Sequence, residues 1–264
     1  MPAYNSRLFV RKAVESVLAQ TFRDFELVIV DDHSSDGTLD ALRDVSDPRI
    51  RIFSNSSRIG GGANWNRSVS LSTGSLIKVL CSDDIIYPSC LEEQVRILDD
   101  PVFSNVGLVG CWRDVIDPEG IKIMTRKWSL FQGHIPGRTA LRRISRSGTN
   151  PLGEPGAVLF RRSLLKEAGP FDGANPFVLD IDMWSRLLLY SDLFVVPNVL
   201  AAFRVSSCSW SVRLARGQGR SYRRWLIRNS RDPRYRLRRG DVLLGLAKSF
   251  PLNWARFFIY RRLV

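Results

Sequence analysis

The feature that most constrains this chain is an apolar run that stops dead at two acids. Leu76 to Cys81 is interrupted only by Lys78 and runs straight into Ser82-Asp83-Asp84. Such a run suits a strand buried on both faces of a parallel sheet. Adjacent carboxylates repel and resist burial unless something positive sits beside them. At the carboxyl end of a parallel strand a divalent cation meets that need, and hard oxygen ligands select Mg²⁺ or Mn²⁺ with positions left open for phosphate oxygens. The plainer alternative is a turn starting at Asp84 with Asp83 solvated; the position after a buried strand favours the cation.

With 264 residues, 44% hydrophobic and 25% charged, the chain is expected to form one large α/β domain or a domain with a smaller appendage. Cys81, Cys90, Cys111 and Cys208 lie far apart without a CxxC pair. That argues against a zinc site or disulfide framework and fits a reducing compartment. No apolar run is long enough to span a bilayer, and the first residues do not resemble a signal peptide. The net charge of +13 sits in one place. Trp210 to Val264 holds fifteen Arg or Lys and two Asp, so the preceding residues sum to about zero.

Along the chain, Arg7–Gln20 has helical apolar spacing, and Phe25–Val30 reads as a buried strand ending in the polar loop Asp31–Thr38. Asp36 is placed to cap a helix running to about Val45. A strand at Arg49–Phe53, a loop at Ser54–Gly62, a helix at Asn64–Ser72, the central strand and a helix through about Leu98 follow. This alternation is the signature of an open parallel sheet flanked by helices. Beyond it come a strand at Val106–Trp112, a hairpin turning at Pro118–Gly120, a basic helix or loop at Gly137–Ser147, and a strand at Ala157–Phe160. A helix near Ser163–Ala168, helical spacing at Asp180–Leu189, and one or two strands in Leu193–Phe203 complete the pattern.

Pro2-Ala3-Tyr4-Asn5, Val30–Thr38, the glycine loop before Asn66-Arg67, Ser82-Asp83-Asp84 and Leu179–Arg186 occur in the order seen in family 2 glycosyltransferases. The chain resembles that family over residues 1 to about 211. The resemblance implies a GT-A fold, a Rossmann-like, mostly parallel sheet flanked by helices, with a nucleotide-binding half (1–100) and an acceptor half (101–211). A basic, aromatic helical extension (212–264) would follow. It further implies inverting transfer of a sugar from a nucleotide-diphosphate donor, headed by UDP- or dTDP-sugars, with Mg²⁺ or Mn²⁺. By the same resemblance, Pro2, Ala3 and Tyr4 match a loop that packs on the nucleotide, and Asp32, with Asp31 beside it, matches the acid that accepts a hydrogen bond from the base. Asp83 and Asp84 match the metal and ribose/diphosphate carboxylates, and Arg204 an arginine near the diphosphate. Arg58 and Asn66 join the nucleotide-sugar set. Asp180 matches the catalytic base, and Asp182 competes for that role because Leu179 stands where the family often has Glu.

Three departures accompany the resemblance. The family's apolar strand before the Pro-Ala-Tyr-Asn loop does not precede Pro2, so the sheet is expected to open and expose two edges. Cys81 stands where many members have a further Asp, and Ser206 where many have His. These departures keep a second reading alive: a catalytically degenerate GT-A fold serving as a basic membrane or polyanion adaptor.

Asp180 taken alone reads better as an ordinary N-cap, and only the company of the other motifs favours the base; Asp31-Asp32 taken alone reads as a solvated strand-end loop. Gly60-Gly61-Gly62 lacks GxGxxG spacing and reads as a flexible loop. Trp112, Trp128 and Trp184 are better read as core than as sugar-stacking residues. The tail mixes arginines with Tyr222, Trp225, Tyr235, Trp254, Phe257, Phe258 and Tyr260. That composition suits the headgroup layer of an anionic membrane, ahead of nucleic acid or an oligomer interface. A glycan or lipid-linked acceptor is expected, in surface-polysaccharide assembly at the cytoplasmic face of a membrane.

Overall fold

The structure, a computed structural model, describes residues 1–127, 132–207, 209, 212 and 217–263, without the side chains of 256–263. Trp128 and Cys208 lie outside the described residues. The first half runs β1 (Pro2–Ala3), α1 (Val10–Leu18), β2 (Leu27–Asp31), β3 (Ile50–Ser54), α2 (Gly61–Leu71), β4 (Leu76–Ile77), β5 (Ile85–Ile86) and α3 (Cys90–Asp99). The second half runs β6 (Val106–Ile116), β7 (Lys122–Arg126), β8 (Gly133–Ile135), α4 (Gly137–Ser147), β9 (Val158–Arg161), α5 (Leu165–Ala168), α6 (Leu179–Leu187) and β10 (Asp192–Arg204). Two further helices, α7 (Gln218–Ser230) and α8 (Arg239–Leu263), end the chain.

Helix α1 forms because Val10, Ala13, Val14 and Val17 recur at helical spacing and bury together. Strand β2 is buried at every position, as a continuous apolar run requires. It pairs in parallel with β3 along its length and with β1 at Val30 and Asp31 only. These three strands form one sheet; the other seven form a second, in the order β4-β9-β6-β10-β5 with β7 and β8 on its flanks. The long strands β6 and β10 pair in parallel, whereas β9 and β5 join antiparallel. Parallel pairing is thus confined to the three-stranded sheet and the β6–β10 centre. The two larger cores pack around Leu108, Phe160, Met183 and Trp184, and around Val14, Ile29, Val109 and Leu159; a small third one holds Val115, Phe203 and Val205. The sheet lies between the two larger ones.

Two expectations change. The helix expected from Asp36 to Val45 is a single 3₁₀ turn, Asp40–Leu42. Asp36 instead accepts from the Arg7 amide (2.9 Å) and from the Thr38 amide (3.0 Å) and hydroxyl, tying this loop to the one after β1. The expected strand Leu76–Cys81 pairs only at Leu76 and Ile77. Val79 and Leu80 are buried without a strand partner, and a cavity of ≈ 590 Å³ separates them from Leu27 and Val28 of β2. The two sheets face each other across this cavity.

Candidate active site

The acid pair lies where β5 begins, against the end of β10. Asp84 is 2% exposed, and one of its carboxylate oxygens accepts from the Arg204 amide at 2.9 Å. Arg204 reaches back with its guanidinium: Nε donates to the Asp83 carbonyl (2.9 Å), and Nη1 to the carbonyls of Asp117 (2.9 Å) and Pro118 (2.8 Å). Ser209 donates to Asp83 at 3.5 Å and exchanges a hydrogen bond with Ser206. Burial raises the Asp83 carboxyl above its usual range; burial and then the Asp83 charge raise Asp84 further.

Ligand atoms of Cys81, Asp83 and Asp84 all lie within 4.8 Å of one another. A buried carboxylate and a half-buried one at that separation do not both ionise cheaply without added positive charge, so the residues fit a divalent ion. The Cys81 thiol is pushed well up by burial, then by Asp84, Asp83 and Asp180, so it stays protonated beside the acids. Hard oxygens make up the working donor set.

Asp180 opens α6 and faces the same cavity as Asp83 and Asp84. One oxygen accepts from Asn150 Nδ2 (2.7 Å), the other from the Ile181 amide (2.7 Å). Burial raises its carboxyl to about 7, and the Glu154 charge adds to the rise. Glu154 and Asn150 also line the cavity, and neither was singled out in the sequence. Glu154 pairs with Arg113 and Arg126. Only the fold brings that 150–155 loop to the acids.

The nucleotide-side residues form a separate cluster. Asp32, 2% exposed, accepts from Asn55 Nδ2 (2.8 Å) and from the amides of Ile59 (2.8 Å) and Gly60 (2.9 Å). Those three donors fix the loop entering α2, where Gly60 needs its φ of 89°. Asn55 also bonds Asn64, whose amide donates to the Val30 carbonyl. This chain leads to Trp65, which lines the cavity. Asp31 holds Ser34 through its amide (2.9 Å) and hydroxyl (2.5 Å). Pro2 and Ala3 form β1, with the Ala3 carbonyl accepting from the Asp32 amide. Tyr4 is 37% exposed and stacks under Arg58, 4.3 Å from guanidinium carbon to ring centroid.

Four expectations are corrected. Asp182 does not line the acid cavity: it is 2% exposed and ion-paired to Arg186 (2.9 Å) and Arg228, so it braces α6 against α7. Asn66 uses both ends of its amide to hold the Phe171 backbone, at 2.8 and 2.9 Å, so it braces that loop and is not placed with the nucleotide-side cluster. Arg204, 1% exposed, supports the acid loop from behind: backbone carbonyls take its Nε and Nη1, so its head is turned to the loop and away from open solvent. The glycine run is helical from Gly61, and a Cβ on Gly62 would lie 2.6 Å from Gly173 Cα, so close packing replaces the flexible loop. Trp184 is fully buried core, as read from the sequence.

The model of glycosyl transferase family 2 matches residues 1–169. A Mycobacterium tuberculosis protein, "Uncharacterized protein MT1568", is 30% identical over 222 residues, covering 81% of this chain and 68% of that protein. Escherichia coli WfgD, a UDP-Glc:alpha-D-GlcNAc-diphosphoundecaprenol beta-1,3-glucosyltransferase, is 35% identical over 98 residues, covering 37% of this chain and 39% of WfgD. Among solved structures, Staphylococcus aureus TarS 1–349 with UDP-GlcNAc superposes with a TM-score of 0.67 at 16% identity, over 94% of this chain and 70% of TarS 1–349. A Pyrobaculum calidifontis mannosyltransferase with GDP-Man and Mn²⁺ superposes at 0.62 and 19% identity, over 96% of this chain and 71% of that one. With a GT-A fold, an acid pair at a strand end and a family match over well over half its length, the chain belongs to glycosyl transferase family 2.

Proposed function

We propose that the chain is an inverting, metal-dependent glycosyltransferase that moves a sugar from a nucleotide-diphosphate donor to a glycan or lipid-linked acceptor in surface-polysaccharide assembly. One observation carries this: the acid pair, half-buried Asp83 and buried Asp84, and the elevated carboxyl of Asp180 face one cavity. The first needs a cation and the second is poised to take a proton near neutral pH. Asp83 and Asp84 would hold Mg²⁺ or Mn²⁺, which when bound supplies counter-charge for a leaving diphosphate. Asp180 accepts the acceptor hydroxyl's proton, and Asn150 orients it through a 2.7 Å hydrogen bond. A single base is what inversion asks for, since attack comes from the face opposite the leaving group. UDP-sugars head the donor candidates, supported by the UDP-GlcNAc bound to TarS and the UDP-Glc in WfgD's name. The diphosphoundecaprenol acceptor in that name supports a lipid-linked acceptor here.

The test is Asp84→Ala with isothermal titration of UDP-sugar in the presence and absence of Mn²⁺. The wild type is expected to bind donor only with Mn²⁺, and the variant to lose both binding and transfer. Full transfer by the variant overturns the metal assignment. A wild type that binds no donor under either condition leaves the adaptor reading.

A further inference from the structure

Helix α8 packs its inner side on the body through the buried Asp241, Gly245 and Ser249, with Val242 and Leu246 partly buried beside them, and leaves an apolar outer side uncovered. A Cβ on Gly245 would sit 1.9 Å from the Ser145 carbonyl oxygen, so this crossing point admits only glycine. Asp241 is neutralised there by Arg142 (2.9 Å) and Arg146. The outward positions between 243 and 255 carry a single charge, Lys248; the rest are Leu243, Leu244, Ala247, Phe250, Pro251, Leu252, Trp254 and Ala255. Leu243 is 67% exposed, Phe250 60% and Trp254 51%. Leu243, Ala247, Phe250 and Trp254 recur at helical spacing, so they share one stripe. A soluble helix puts such a stripe inside.

The neighbouring helix supplies the charge. Helix α7 runs antiparallel to α8, with Gly219 opposite Asn253 and Leu226 opposite Gly245. Its buried side is Tyr222, Trp225, Leu226 and Asn229, leaving Arg220, Arg223, Arg224 and Arg228 on the outside. Arg228 is engaged by Asp172 and Asp182. From 217 to 255 the acids are Asp232, bonded to Arg234, and the buried Asp241. Among the described residues, Asp172 meets the ridge only at Arg228, and no salt bridge is formed by Arg220, Arg223 or Arg224.

The hairpin also forms a wall of the catalytic cavity. Gln218 and Tyr222 of α7 and Ser249, Leu252 and Asn253 of α8 line it together with Asp84 and Asp180. Phe250 and Trp254 lie within two residues of that wall. We propose that the α7–α8 hairpin docks on an anionic bilayer. The Leu243–Phe250–Trp254 stripe sits in the headgroup layer, and the arginine ridge lies over lipid phosphates. The cavity then opens at the membrane surface and receives an acceptor carried on a lipid, a step that rests on the glycosyltransferase reading above. An outward apolar stripe beside a basic ridge matches an interfacial helix. No helix among the described residues is long and apolar enough to cross the membrane, so this is contact at the surface.

The test is co-sedimentation of the full chain with phosphatidylcholine vesicles, with and without phosphatidylglycerol, beside gel filtration and nucleotide titration. The wild type is expected to partition at least about tenfold more strongly onto the anionic vesicles and to be partly released by salt. Leu243→Ser/Phe250→Ser and Arg223→Glu/Arg224→Glu should each lose about tenfold or more of that partition while keeping UDP affinity in solution and a monomeric elution volume. Equal partition onto both vesicle types overturns the proposal. So does a wild-type dimer dissolved by Leu243→Ser/Phe250→Ser, or RNA binding that displaces the vesicles. Vesicle binding without UDP binding overturns the glycosyltransferase reading and leaves the docking surface standing.

Discussion

Asp180 and Asp182 stand two residues apart on one helix turn and have opposite fates. Asp180 is raised from 3.8 to about 7, chiefly by burial. A carboxyl raised on folding is most stabilising when protonated, below the usual carboxylate range, and that contribution is lost as pH climbs from about 4 to 7. The ionised form that a base needs is therefore the strained one. Transfer should rise with pH along a limb centred near 7. Asp180→Asn should lower turnover by roughly 10²–10⁴-fold, keep metal-dependent donor binding, and above pH 7 stabilise the fold by up to about 4 kcal/mol. Turnover and calorimetry against pH check both, and an unchanged limb in the variant removes Asp180 from the reaction. Asp182→Asn should do the reverse. It breaks the pairs with Arg186 and Arg228 and costs about 1–3 kcal/mol, reduced by the exposure of Arg228, while the pH limb stays in place.

At the scale of elements, the site is a set of strand ends clamped from behind. Arg204 ends β10, and its side chain ties β5's entry loop to the turn after β6 through the carbonyls of Asp83, Asp117 and Pro118. Arg204→Lys should fail there, because one ammonium cannot reach carbonyls that a planar guanidinium fork spans. A loss of about 2–3 kcal/mol with weakened Mn²⁺-dependent UDP binding is expected by calorimetry and titration. Unchanged metal affinity would show that the acid loop holds itself. The sequence made Arg204 visible but not its direction, since a residue type does not say whether its head faces a cleft or a carbonyl. Asn66 escaped for the same reason. The strands β6, β9 and β10 and helices α1, α3 and α6 were legible because burial imposes a period on their residues. The segment after Asp36 has no such period to sustain a helix, and its acid serves the Arg7 amide instead. Asn150 and Glu154 carry no local signal, because their roles exist only once a loop some thirty residues upstream of Asp180 folds onto it.

At the scale of the whole molecule, a gap in the hydrogen-bond ladder lies between the two sheets, bridged by one core that holds both Ile29 and Val109. Strand β2 is hydrogen-bonded along one edge by β3, while on the other Met1 and β1 reach it only from Val28 onward. Across the ≈ 590 Å³ cavity, Val79 and Leu80 offer no ladder in return. By contrast β6 is paired on both edges, with β10 along most of its length. Sections of a protein joined by fewer buried contacts open at lower free energy than its centre. The amides of Ile29 and Phe53 should therefore exchange with solvent at least about tenfold faster than those of Val109 and Val195. The slower pair belongs to the sheet carrying the acid pair, the faster to the sheet carrying Asp32 and the loop it fixes. A nucleotide-sugar touching both would join them, so donor with Mn²⁺ should slow exchange at Ile29 and Phe53 and leave Val109 unchanged. Equal protection of all four amides without ligand would mean that the molecule opens as one unit. In that case the packing of α1 and α2, and not the nucleotide, holds the halves together.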